Sequence, residues 1–152
     1  LRHARVVRNL ARAHGGRPDV ARVLPQPPRD LFAVALENAV EGCVHETFAA
    51  ARAGHQAMHA EDLEVRAVSA MLAEDESRHA DLAAAVHEWA CARLPLHEAA
   101  AIEEARRAAW ARLASHPPAM TPEAIRILGL PNADTHTRLA LALAGALMTR
   151  AA

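Results

Sequence analysis

The stretch Ala73-Glu74-Asp75-Glu76-Ser77-Arg78-His79-Ala80 sets a Glu-x-x-His pair, Glu76 and His79, in the middle of a long helical pattern. Residues three apart on a helix are surface neighbours, so a carboxylate oxygen and an imidazole nitrogen at this spacing can converge on one metal ion. Helical bundles build carboxylate-bridged two-metal centres from this unit. The first residues echo it. Leu1-Arg2-His3-Ala4-Arg5-Val6-Val7 lies over Ser77-Arg78-His79-Ala80-Asp81-Leu82-Ala83 with Arg-His-Ala in common, which puts His3 in the part of His79 and marks an internal repeat. In that register the partner of Glu76 falls just before Leu1, and the chain opens in mid-helix without a methionine, as a fragment would.

Outward from the motif, Gly15-Gly16 and Pro18 stop the first helix near His14, and the four prolines between Arg17 and Arg29 mark an extended crossover. Asp30 is placed to cap a helix from Leu31 to about Ala57. Glu61 or Asp62 is placed to cap another that runs to about Arg93, before Pro95. Two long helices joined by a short connection fold back as an antiparallel hairpin. Leu31, Val34, Val44 and Phe48 form the apolar stripe of the first, with Glu37 and Glu41 inside it. Val65, Val68, Leu72, Leu82 and Val86 form that of the second, with Glu76 and His79 at its centre. Ionised carboxylates in an apolar stripe are costly unless paired or bound to metal, so three acids in two facing stripes ask for a cation. The midpoint of Glu41 and Glu76 lies near the turn, which sets the two at similar height, with Glu37 about half a turn away.

The remaining chain reads as a helix from about His97 to Ser115, a break at Pro117-Pro118, a short helix started by Thr121-Pro122-Glu123 and ended by Gly129-Leu130-Pro131, and a last helix capped by Asp134 or Thr135. With few acids on apolar faces, residues 95–152 are expected to serve packing or homo-oligomer contacts.

Composition narrows the function. The chain of 152 residues suits one domain with a substantial core, and its formal net charge of −1 gives no basic footprint for nucleic acid. The longest apolar run, Leu139 to Met148, is too short to cross a bilayer. Cys43 and Cys91 have no paired spacing, which disfavours structural zinc or a disulfide framework and fits a reducing cytoplasm. The chain has no tyrosine, the residue a radical-generating centre needs near its metals.

Glu37-Asn38-Ala39-Val40-Glu41-Gly42-Cys43-Val44-His45-Glu46-Thr47 together with Ala73 to Ala80 resembles the ferritin-like superfamily, best over residues 1–94, and looks like the C-terminal part of a bacterial ferritin-like domain protein. The resemblance implies an all-α fold: a ferritin-like four-helix bundle whose first half is absent from this chain, formed by residues 1–94, with a helical extension over residues 95–152. It also implies a two-iron centre, zinc or manganese being possible in place of iron. Glu41 matches the single-Glu helix, Glu76 and His79 the second-half motif and His3 the first-half motif. The first Glu helix and the Glu paired with His3 are missing. Asp75 is implied as the acid that accepts a hydrogen bond from His3 and fixes its tautomer.

Glu37 is a further candidate ligand, a proton-carrying acid or a partner of Arg. His45, one turn from Glu41, is a candidate to hydrogen-bond it, whereas Glu46 is expected to point away from the stripe. His55, His59, His87, His97, His116 and His136 read as surface or cap residues, and Trp89 and Trp110 as core anchors. Gly42 reads as a point of close helix packing. The expected function is activation of dioxygen or peroxide at iron, as ferroxidase or small-molecule oxidase. The alternative is a ferritin-like helical scaffold or interaction protein without a working metal centre.

Overall fold

Caps and prolines fix the helix ends in the computed structural model, which describes residues 2–19, 24–25 and 27–148. Those residues are all-helical, with no strand among them. The first helix, α1 (Arg2–Ala13), gives way at Gly15, whose φ of 79° is the left-handed geometry glycine adopts freely. No helix forms over the described part of the proline-rich crossover; its residues 20–23 and 26 lie outside the described set.

Asp30 caps α2 (Leu31–Glu37), its carboxylate accepting from the Ala33 N–H at 2.8 Å. The helix then widens without a break into a π-helical segment, Asn38–Glu46, and returns to α-helix as α3 (Thr47–His59). The result is one rod of three windings. After the connection at Ala60, Asp62 caps α4 (Leu63–Cys91) by accepting from the N–H groups of Glu64 and Val65 at 2.8 and 2.9 Å. Those backbone donors, Val65 first, hold its carboxyl below the usual carboxylate range. The rod and α4 form the expected antiparallel hairpin.

Pro95 precedes α5 (Leu96–Ser115), and Thr121 caps α6 (Pro122–Leu128), which ends at Gly129 with φ of 61°. The last helix, α7 (Ala133–Met148), starts one residue before the expected caps: Asn132, not Asp134 or Thr135, accepts from the Thr135 N–H at 2.9 Å. An Asn two residues earlier in the sequence outcompeted the acid because only it lies outside the first helical turn.

Residues 95–148 do more than decorate the hairpin. Val44 and Phe48 from the rod, Trp110 and Ala114 from α5 and Ala140 from α7 make one buried cluster. A second joins Ala35, Ala39 and Ala90 to Ile102. Val44 and Ile102 are fully buried, each contributing about 1.5–3 kcal/mol by leaving water. Trp110 is the expected core anchor; Trp89 is not, being exposed with the Arg93 guanidinium stacked 4.7 Å from its ring centroid. Leu82 and Val34 of the expected stripes are exposed as well, on the wall of an open cleft of about 400 Å³ between the rod and α4.

Candidate metal centre

Gly42 brings the π-helical segment close to α4. A Cβ on this residue would fall 2.6 Å from the Ala83 Cβ, so only glycine permits the observed approach. Two side chains of the same segment fasten the contact. The Asn38 amide donates to the Ala83 carbonyl at 2.9 Å, and the Cys43 thiol donates to the same oxygen at 3.4 Å. Burial pushes that thiol up to about 11, so it stays protonated as a donor.

On the neighbouring face, α1 lies antiparallel to α4 and delivers His3 to the motif helix. The His3 Nε2 is 2.9 Å from Asp75 Oδ2, the contact the resemblance implies. His3 Nδ1 is 3.1 Å from Glu76 Oε1, and His79 Nδ1 is 3.1 Å from Glu76 Oε2. Each oxygen of one carboxylate therefore faces a different imidazole. Asp75 is largely buried, with its side chain 12% exposed, and its hydrogen bond from His3, helped by Arg2 and Arg78, holds its carboxyl below the usual range. An ionised carboxylate only accepts, so His3 Nε2 must be the donor in that pair. The His3 Nδ1 then presents to Glu76 either a second proton or a lone pair. Two lone pairs at 3.1 Å repel unless a cation sits beside both.

The third carboxylate at this point is Glu46. One ligand atom each from Glu46, Glu76 and His79 lie within 4.8 Å of one another. Bonds of about 2.0–2.2 Å bring donors within roughly 4.4 Å, so small side-chain rotations would complete the set around an ion. The donors are hard carboxylate oxygens and imidazole nitrogens, which suit iron, manganese or zinc.

Glu46 was expected to point away, and the winding of the rod explains the difference. In an α-helix, residues five apart diverge by about 140°, whereas a π turn, which closes its hydrogen bond between residues five apart, brings them much nearer to one face. Glu41 and Glu46 consequently line the same clefts. The height of the turn favours Glu46 too: the midpoint of Glu46 and Glu76 is residue 61, within the connection between α3 and α4.

Glu41 and Glu37 were expected inside a dry apolar stripe, and neither is there. The Glu41 side chain is 65% exposed and accepts from His45 Nδ1 at 3.0 Å, the hydrogen bond expected of His45. The Glu37 side chain is 54% exposed and ion-paired with Arg29, one of the roles left open for it. Of the three acids first placed in the stripes, only Glu76, at 19%, is largely shielded from water.

Other histidines also depart from the surface role. His87 donates or accepts at 2.7 Å with Glu103 between α4 and α5, and His136 is buried, bonded to the Leu113 carbonyl and packed on Phe48 at 4.6 Å between ring centroids. Nothing in their spacing announced these partners, which come from separate helices. Compared with protein-family models, curated proteins and solved structures, the chain matches none.

Proposed function

We propose that this chain carries a ferritin-like iron centre in which His3, Glu46, Glu76 and His79 are the ligands it contributes, and that the centre activates dioxygen or peroxide as a ferroxidase or small-molecule oxidase. The observation that supports it most is the Glu76 carboxylate with a different imidazole Nδ1 facing each oxygen at 3.1 Å. Glu76, His3 and His79 are the donor types from which helical bundles build iron centres, and they would hold the metal here. Iron bound there would supply two oxidation states and open positions for the oxidant.

The chain's own residues do the positioning. Asp75 fixes the ring of His3 and the nitrogen it turns toward Glu76. Glu46, supplied by the π winding, adds negative charge that balances a multiply charged cation. Glu41, exposed on the rim, lies beside both clefts as an acid within reach of solvent. The absence of tyrosine disfavours a radical-generating role.

Anaerobic titration with ferrous iron, read by metal analysis after desalting, tests the proposal. Wild type should retain at least one iron per chain; Glu46→Gln and Glu76→Gln should lower retention at least tenfold, and Glu41→Gln much less. No retained iron, together with unchanged or raised stability in Glu76→Gln, points instead to the metal-free scaffold.

A further inference from the structure

Next to Glu46 and Glu76 is a second cavity of about 470 Å³, walled on one side by the rod and on the other by the chain after Pro95. Its volume falls in the range of small-molecule sites. Phe48, Leu113 and Pro118 give it an apolar wall, and His136, which also lines it, packs at a tilt against the Phe48 ring. Its lining is acidic at Glu41, Glu46 and Glu76, with Arg52 further along the rod and the imidazoles of His45, His116 and His136 also on its wall. Arg78, Arg106, Arg107 and Arg138 are each paired with a carboxylate, whereas no acid among the described residues pairs with Arg52.

Arg52 lies six positions after Glu46, about 9 Å along the rod at 1.5 Å per residue. Such a cavity selects a molecule with an anionic head, an apolar body and no charge at its far end. We propose that it binds a monocarboxylic acid with an aliphatic chain of about six to eight carbons, a length that spans those 9 Å. The carboxylate pairs with the Arg52 guanidinium, a planar fork that matches it. The chain lies along Phe48, Leu113 and Pro118 and its terminal carbon lies at the Glu46–Glu76 end. In the metal-free chain the reverse orientation would set the ligand's carboxylate against Glu41, Glu46 and Glu76 and is excluded by charge.

As a binding site this stands on the cavity alone; as a substrate site it rests on the proposed iron centre. It also gives the chain after Pro95 a part in function, since Leu113 lies in α5 and Pro118 in the connection between α5 and α6.

Calorimetric titration of the metal-free full chain with octanoate, 1-octanol and octylamine separates the possibilities, because iron retention is measured independently. Octanoate should bind saturably, at least tenfold tighter than octanol, and octylamine more weakly still. Arg52→Met, a change at an exposed side chain, should reduce octanoate affinity about tenfold while leaving octanol unchanged, as expected for loss of a charged hydrogen bond. Octanoate should also shift the methyl resonances of Leu113 in a carbon–proton correlation spectrum. Equal affinity for octanoate and octanol, or an unchanged affinity in Arg52→Met, overturns the inference even if iron is retained. Selective octanoate binding without iron retention would leave this site standing and remove the metal centre.

Discussion

Replacing Gly42 by alanine tests the contact on which the site geometry depends. The new Cβ would meet the Ala83 Cβ at 2.6 Å, against the 3.4–4 Å of ordinary van der Waals contact, so the rod and α4 must separate by roughly 1 Å. Overpacking of this kind costs about 1–3 kcal/mol, and the gain in helix propensity from glycine to alanine returns roughly 1 kcal/mol at most. With the overpacking cost near the middle of its range the net loss should be about 1–2 kcal/mol, or a fall of roughly 2–8 °C in Tm for a chain of this size. Separation also draws Glu46 away from Glu76 and His79, so iron retention should fall with stability. Adding Ala83→Gly vacates the space and should recover iron retention, and since the propensity gained at position 42 is lost at position 83, Tm should return close to wild type. Thermal unfolding followed by circular dichroism, alongside metal analysis of both variants, supplies the check. A Gly42→Ala protein as stable as wild type with full iron retention would refute the close-approach reasoning.

Two further outcomes are expected from the core and the α4–α5 interface. The buried Trp110 Nε1 has no hydrogen-bond partner among the described residues, so Trp110→Phe removes an unsatisfied donor costing about 1–3 kcal/mol and should remain within about 1 kcal/mol of wild type in urea unfolding. Trp110→Ala should lose about 3–5 kcal/mol through the cavity it leaves. For Glu103, burial raises the carboxyl pKa, but Arg106 and His87 more than reverse this and hold it below the usual range. A depressed folded-state value contributes stability above the unfolded pKa of about 4.3 that is lost as pH falls through the folded one. The stability gap between wild type and Glu103→Gln should therefore be level above about pH 5 and shrink below pH 4; a gap that grows on acidification would contradict the sign.

Local chemistry was legible in the sequence wherever a side chain acts on its own backbone. Asp30, Asp62 and Thr121 cap the helices they were expected to cap, because the caps depend only on residues two or three positions away. The hairpin followed from two long apolar periods with a short connection between them. His3 beside Asp75 and Glu76 was foreshadowed by the Arg-His-Ala repeat.

Glu46 was not legible, because periodicity arguments assign about 100° to every residue and nothing in Asn38–Glu46 declares a wider turn. Gly42 between the two acids was the nearest signal: it was rightly associated with close packing, without revealing how that packing reorients the helix. Likewise, the sequence placed Leu113 and His136 in separate helices, and only tertiary packing brings them to one wall beside the rod.

The change of winding between α2 and α3 makes the inward-looking acid a matter of angular phase. Glu41 and Glu46 are the same residue type on the same rod, yet one is open to solvent and the other joins Glu76 and His79. Since a π turn holds about one residue more than an α turn, a deletion between them would let the rod rewind while Thr47 onward keeps its seat on α4. Length within this short interval thus sets where Glu41 sits relative to Glu46: removing a single position would turn Glu41 about the rod axis while Glu46, next to Thr47, keeps its place, with no substitution at either glutamate.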